Sequence, residues 1–172
     1  GGDTLNEEAL LELYRKFEHL RNCNKKADKI ECLKEYQHDA LFTFVLEFLL
    51  NTHKKTGISD AKLKKNLNDK PYEPFTCLEA LITYIINNPT GKDNIVHSVQ
   101  QYISSLPNFT LERFIGELIT KKYKCGVTAK FVGEVLPNLI KVEHQVMLAN
   151  KFKGELKEKA YVTLKLDGIR CS

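Results

Sequence analysis

No stretch of this 172-residue chain approaches the roughly 18 consecutive apolar residues that a membrane-spanning helix requires. With 28% charged residues and a mean hydropathy of −0.33, no membrane span is expected. The opening residues GGDTLNEEALL have neither the basic head nor the apolar run of an export leader, so the expected location is the cytoplasm. The five cysteines, Cys23, Cys32, Cys77, Cys125 and Cys171, are odd in number, widely spaced and include no C-x-x-C pair. They read as reduced thiols, which argues against a disulfide framework or a zinc ribbon. His19, His38, His53, His97 and His144 form no H-x-x-x-H pair, and no metal site is expected from them. Strand-like alternation is missing before about residue 160. The length suits one medium domain and the beginning of another, and is too short for two complete enzyme domains.

Apolar residues recur instead at helical spacing, predicting an all-α fold of about seven helices before residue 140. Thr4 and Glu7 have capping-box spacing, and Leu10, Leu13, Phe17 and Leu20 form one stripe, predicting a helix over 4–22. Further helices are expected over 25–36, 38–53, 77–87, 92–105, 111–122 and 128–136, with a short one from Ser59 in a lysine-rich connection. Thr76 with Glu79, and Thr110, are the expected caps of two of them. The 38–53 segment, with Leu41, Phe42, Phe44, Val45, Phe48, Leu49 and Leu50, is expected at the centre of the core. Beyond Glu143 the pattern changes, and residues 161–166 read as a strand entering an Asp167-Gly168 turn. The expected division is a helical domain over 3–140 and, over 141–172, a linker and the first strand of a mixed domain.

The charge is segregated. The net charge is only +4, yet segment 51–70 carries six basic and two acidic residues and segment 110–165 carries eleven and six. Two such clusters meeting on one face would attract a polyanion, because lysine neutralisation of phosphates gives affinity without sequence preference. Unpaired amides at a helix N-terminus form a natural phosphate seat, and two glycine turns open helices beside lysines. These are Thr90-Gly91-Lys92 and Gly126-Val127-Thr128. The candidate DNA-binding residues are therefore Gly91, Lys92, Lys121, Lys122, Lys124, Gly126, Thr128 and Lys130.

Near the end of the chain stands Lys165-Leu166-Asp167-Gly168-Ile169-Arg170, which fits K-x-D-G-x-R. A lysine at a strand end can attack an α-phosphate once a cationic surround lowers its pKa from near 10.4. Gly168 removes a side chain where backbone must approach a nucleotide, Arg170 offers a planar donor fork, and Asp167 can hold the turn. The motif resembles the nucleophile motif of covalent nucleotidyltransferases, the ATP-dependent DNA ligases, RNA ligases and messenger-RNA capping enzymes.

From Leu118 through Lys124-Cys125-Gly126-Val127, Leu136-Pro137 and Met147-Leu148-Ala149 to K-L-D-G-I-R, order and spacing resemble the small ATP-dependent DNA ligases of tailed phages and prophages. Thr163 stands where many members have Glu or Gln beside the adenine, and Val146 where a proline is usual before Met147. The resemblance implies a helical domain that binds across nicked duplex DNA, followed by a nucleotidyltransferase domain whose Lys165 takes AMP from ATP with Mg2+. Lys165, Asp167, Gly168 and Arg170 would then contact the nucleotide. It also implies a monomer at work on DNA in replication, repair and recombination, in a bacterial or phage-infected cytoplasm. The family's remaining motifs would lie past Ser172, so this chain alone is expected to be inactive. Two other readings are open at this point: a helical nucleic-acid-binding module without chemistry, and an RNA ligase or capping-type enzyme.

Overall fold

The computed structural model describes residues 2–139, with side chains from Glu7 onward. The described residues form α1 (Gly2–Asn22), α2 (Lys26–Tyr36), α3 (Ala40–Leu50), α4 (Asp60–Leu63), α5 (Leu78–Asn87), α6 (Asp93–Ser104), α7 (Phe109–Ile119) and α8 (Ala129–Val135), followed by a helical turn over 137–139. The fold is all-α, and among the described residues no helix is long and apolar enough to cross a membrane. The expected strand over 161–166 and the whole of 141–172 lie outside the described residues.

The stripe Leu10, Leu13, Phe17 and Leu20 is fully buried and makes α1 the spine on which α2, α3 and α7 pack. Phe17 is the node, its ring 4.7 Å from Phe42 of α3, 6.1 Å from Phe114 of α7 and 5.8 Å from Tyr123. Edge contacts of this kind, Phe114 on Tyr123 at 5.2 Å and 83° among them, add specificity to the burial of apolar area. In α3, Phe42, Val45, Leu46 and Phe48 are buried, whereas Leu41, Phe44, Leu49 and Leu50 are only partly so. The long connection after α4 is fastened to α6 by polar groups. His97 Nδ1 lies 2.8 Å from Lys70 O, Ser98 Oγ accepts from Glu73 N at 2.8 Å, and Gln100 Nε2 donates to Leu63 O and Lys65 O.

Several helix ends differ from the spacing-based bounds, among them the end of α7, at Ile119 where 122 was expected. Helix α3 stops at Leu50, where 53 was expected, because Asn51 is extended (ψ 106°) and its side chain accepts from His53 N at 2.9 Å. Helix α7 is capped by Asn108, whose Oδ1 takes Leu111 N at 2.9 Å, which places Thr110 inside the helix. Helix α5 has Cys77 at its N-cap position with no side-chain cap bond, so Thr76 does not cap it. Helix α1 begins at Gly2, ahead of the Thr4–Glu7 box.

The start of α3 generates a stability test. Asp39 caps it, its Oδ1 accepting from Phe42 N at 3.1 Å, while its other oxygen pairs with Lys16 of α1. Burial works against the charged carboxylate, but the Lys16 bond and the Phe42 amide outweigh it and hold its pKa below the ordinary value. Asp39→Ala is expected to cost about 1–2 kcal/mol in urea unfolding followed by circular dichroism. Asp39→Asn keeps a cap acceptor and should cost less, about 1 kcal/mol or below. Because the folded pKa is depressed, the Asp39 contribution is complete above about pH 4 and is lost as pH falls through the folded value. The gap between wild type and Asp39→Asn should therefore close in acid.

Candidate nucleic-acid interface

The two basic segments meet where α7 ends on the end of α3. Helix α7 closes in a Schellman turn, Lys121 N donating to Leu118 O at 3.0 Å and Lys122 N to Glu117 O at 2.8 Å. The residue in the left-handed position, normally glycine, is Lys121, with φ 61°. This backbone sends its side chain back across Phe48, the ammonium 4.9 Å from the ring centroid. There it donates to Asn51 O at 2.7 Å and Lys54 O at 2.8 Å, satisfying carbonyls at and just past the C-terminus of α3. Lys122, the next residue, is exposed and pairs with Asp60 at the start of α4.

Around this junction lies an open hollow of about 630 Å3 lined by Lys54, Lys55, Lys62 and Lys121, with no carboxylate in its wall. Lys54 is ion-paired to Glu47, and Lys62 Nζ donates to Gly57 O at 3.2 Å, whereas Lys55 has no ion-pair partner among the described residues. On the other side of α4 a second hollow of about 540 Å3 carries Lys64, Lys122 and Arg113, balanced by Asp60, Glu112 and Glu117. Its rim holds Phe109, 73% exposed, which the sequence reading did not single out. The signal was available, since Phe109 lies off the buried Leu111, Phe114, Ile115, Leu118 stripe of its own helix.

The two glycine turns serve the packing of the chain directly. Gly91 has φ 66°, and a Cβ there would stand 2.3 Å from Gly57 O and 2.2 Å from Lys62 Nζ, so its backbone is pressed against the neighbouring loop. Lys92 is exposed beside it, and Asp93, the first residue of α6, is paired to Lys65 at 3.0 Å. The Lys65 bond is the main reason the Asp93 carboxyl sits below its ordinary pKa. At Gly126 (φ 88°) a Cβ would come within 3.2 Å of Arg21 Cα, and its carbonyl accepts from Lys29 Nζ at 2.8 Å. That turn is docked on the end of α1 and on α2. Thr128 Oγ1 caps α8 by accepting from Phe131 N at 3.1 Å, and Lys124 and Lys130 are exposed nearby in the chain. Lys121 and Lys62 thus line one hollow and Lys122 the other, while Gly126 and Thr128 sit against α1, α2 and α8. Lys165, Asp167, Gly168 and Arg170 lie outside the described residues.

Comparison of the chain with protein-family models, curated proteins and solved structures found no match.

The dual role of Lys121 can be separated by substitution. Lys121→Ala keeps the left-handed strain and loses both charge-assisted bonds, and is expected to cost about 1–3 kcal/mol in urea unfolding. Lys121→Gly loses the same bonds but relieves about 1 kcal/mol of backbone strain, so it should be the more stable of the two variants.

Proposed function

We propose that the helical domain grips duplex DNA through its phosphate backbone, as the N-terminal part of an ATP-dependent DNA ligase that seals nicks through a lysyl-AMP intermediate at Lys165. The observation that carries this reading is the convergence of Lys54, Lys55 and Lys62 with Lys121 on one hollow without a carboxylate in its wall, with Lys122 exposed on the hollow next to it. A concave, cation-lined surface suits a polyanion, and lysines, being flexible point charges, suit phosphates rather than base edges. Recognition would follow duplex shape and the bendability of a nick, with little reading of sequence.

The K-L-D-G-I-R motif adds the chemistry, since a surface that only bound nucleic acid would have no use for a lysine nucleophile flanked by an Asp-Gly turn and an arginine. The order fits the division of labour. The gripping domain holds the break, and the domain opened by residues 141–172 would carry Lys165 to the 5′-phosphate.

Two measurements test the proposal. Fluorescence anisotropy with a nicked duplex over a salt series is expected to show weak, steeply salt-dependent binding. Lys55→Ala and Lys122→Ala, both at exposed positions, should each lower affinity and reduce the slope of log K against log salt by about 1. Unchanged affinity and slope in the double variant would remove the assigned face. In a polypeptide that continues into the remaining motifs, Lys165→Ala should abolish nick sealing and labelling by AMP, and Lys165→Arg should behave the same way. Sealing that survives either change would overturn the catalytic half of the proposal.

A further inference from the structure

The corner between α1 and α2 gathers three metal-type donors that no step of the DNA reading uses. His19 and Cys23 are four residues apart at the end of α1, so they share one face of the helix across a single turn. The chain then reverses through 23–25, and α2 brings Cys32 against them. An imidazole nitrogen of His19, Cys23 Sγ and Cys32 Sγ all lie within 4.8 Å of one another, and the His19 Nδ1 to Cys32 Sγ separation is 3.7 Å. Their exposure is graded, with His19 exposed, Cys23 half-buried and Cys32 buried, which leaves the group open to an ion from the His19 side.

The dimensions match those of zinc. Zinc–sulfur bonds of about 2.3 Å and zinc–nitrogen bonds of about 2.0 Å at the tetrahedral angle place S···N edges at about 3.5 Å and S···S edges at about 3.8 Å. The His19 Nδ1 to Cys32 Sγ edge, at 3.7 Å, is already close to that value, and the other two are within 4.8 Å. The donor set, two thiolates and an imidazole, is the soft N/S combination that selects zinc over magnesium or calcium. A bare thiol pair would suggest a disulfide, but a disulfide makes no use of the imidazole that stands as third donor.

We propose that His19, Cys23 and Cys32 form a zinc(II) site that pins the end of α1 to α2. Two S–Zn bonds and one N–Zn bond form, the two thiol protons leave to solvent, and a water completes the tetrahedron. The Tyr36 hydroxyl, 2.8 Å from His19 Nδ1, gives up that nitrogen and stands beside the bound water. The consequence is mechanical. The same corner carries Arg21, on whose backbone the Gly126 turn is packed, and Lys29, which bonds the Gly126 carbonyl. A metal here therefore braces the seat of the 124–128 segment from behind.

The test uses the untagged, reduced chain and cobalt(II) as spectroscopic probe. One equivalent is expected to give the intense visible bands and thiolate charge-transfer absorption of a tetrahedral site, discharged by zinc(II). His19→Ala and Cys23→Ser, at exposed and half-buried positions that leave the core intact, should each weaken cobalt binding at least about tenfold, whereas Cys77→Ser should leave it unchanged. Cys32→Ser should do the same as the first two, with circular dichroism reporting whether that buried substitution still folds. Zinc should also raise the thermal midpoint of the wild type and not of His19→Ala. Absence of tetrahedral absorption, or bands that survive both His19→Ala and Cys23→Ser, would overturn the proposal. Neither outcome bears on DNA binding, which is read separately from the Lys55 and Lys122 variants.

Discussion

A single ammonium group joins the two halves of the basic surface. Lys121 occupies the left-handed position of the α7 terminus, where glycine would cost less, and the side chain that this backbone directs across Phe48 satisfies carbonyl groups at Asn51 and Lys54. Helix termini leave several carbonyls without intrahelical partners, and a cation there gains from both the hydrogen bonds and the helix dipole. The result fixes the end of α7 on the end of α3. Everything carried by the two segments, Lys55 and Lys62 on one and Lys122 on the other, is held in place by that contact.

Concentrating lysines on one surface raises their mutual repulsion, and the fold offsets it from behind. Glu47 holds Lys54, Asp93 holds Lys65, and Asp60 holds Lys122, while the wall of the larger hollow itself carries no acid. These pairs are partly exposed and individually worth little, about 0–1 kcal/mol, so their effect is chiefly to orient side chains. Lys55 and Lys92 are exposed and have no such ion pair among the described residues. The surface thus carries lysines held by a carboxylate, Lys54, Lys65 and Lys122, beside Lys55 and Lys92, which have no such pair among the described residues.

The glycines show how a single residue can satisfy a sequence pattern for another reason. Gly91 and Gly126 each precede a helix beside lysines, the pattern of a phosphate seat, yet each is required where it stands by backbone packed within about van der Waals distance or closer. Gly126 rests on the end of α1 at Arg21, which lies between His19 and Cys23 along the chain. The α1–α2 corner is therefore the support on which the 124–128 segment is built.

Read alone, the sequence determined the helical class, the stripe of α1, the burial of the α3 face and the presence of K-L-D-G-I-R. Spacing within one segment is enough for these, because a helix face and a short motif are properties of neighbouring residues. It overran α3 because Asn51 ends that helix through its own side chain, and it misplaced the α7 cap because Asn108 and Thr110 are both capable caps. Only tertiary structure decided which lysines converge, that Lys121 serves α3, and that Cys32 joins the His19 and Cys23 pair. The first two depend on α1, α3 and α7 meeting around the Phe17 ring and the last on α2 packing on α1, contacts between distant segments that leave no periodic trace in the chain.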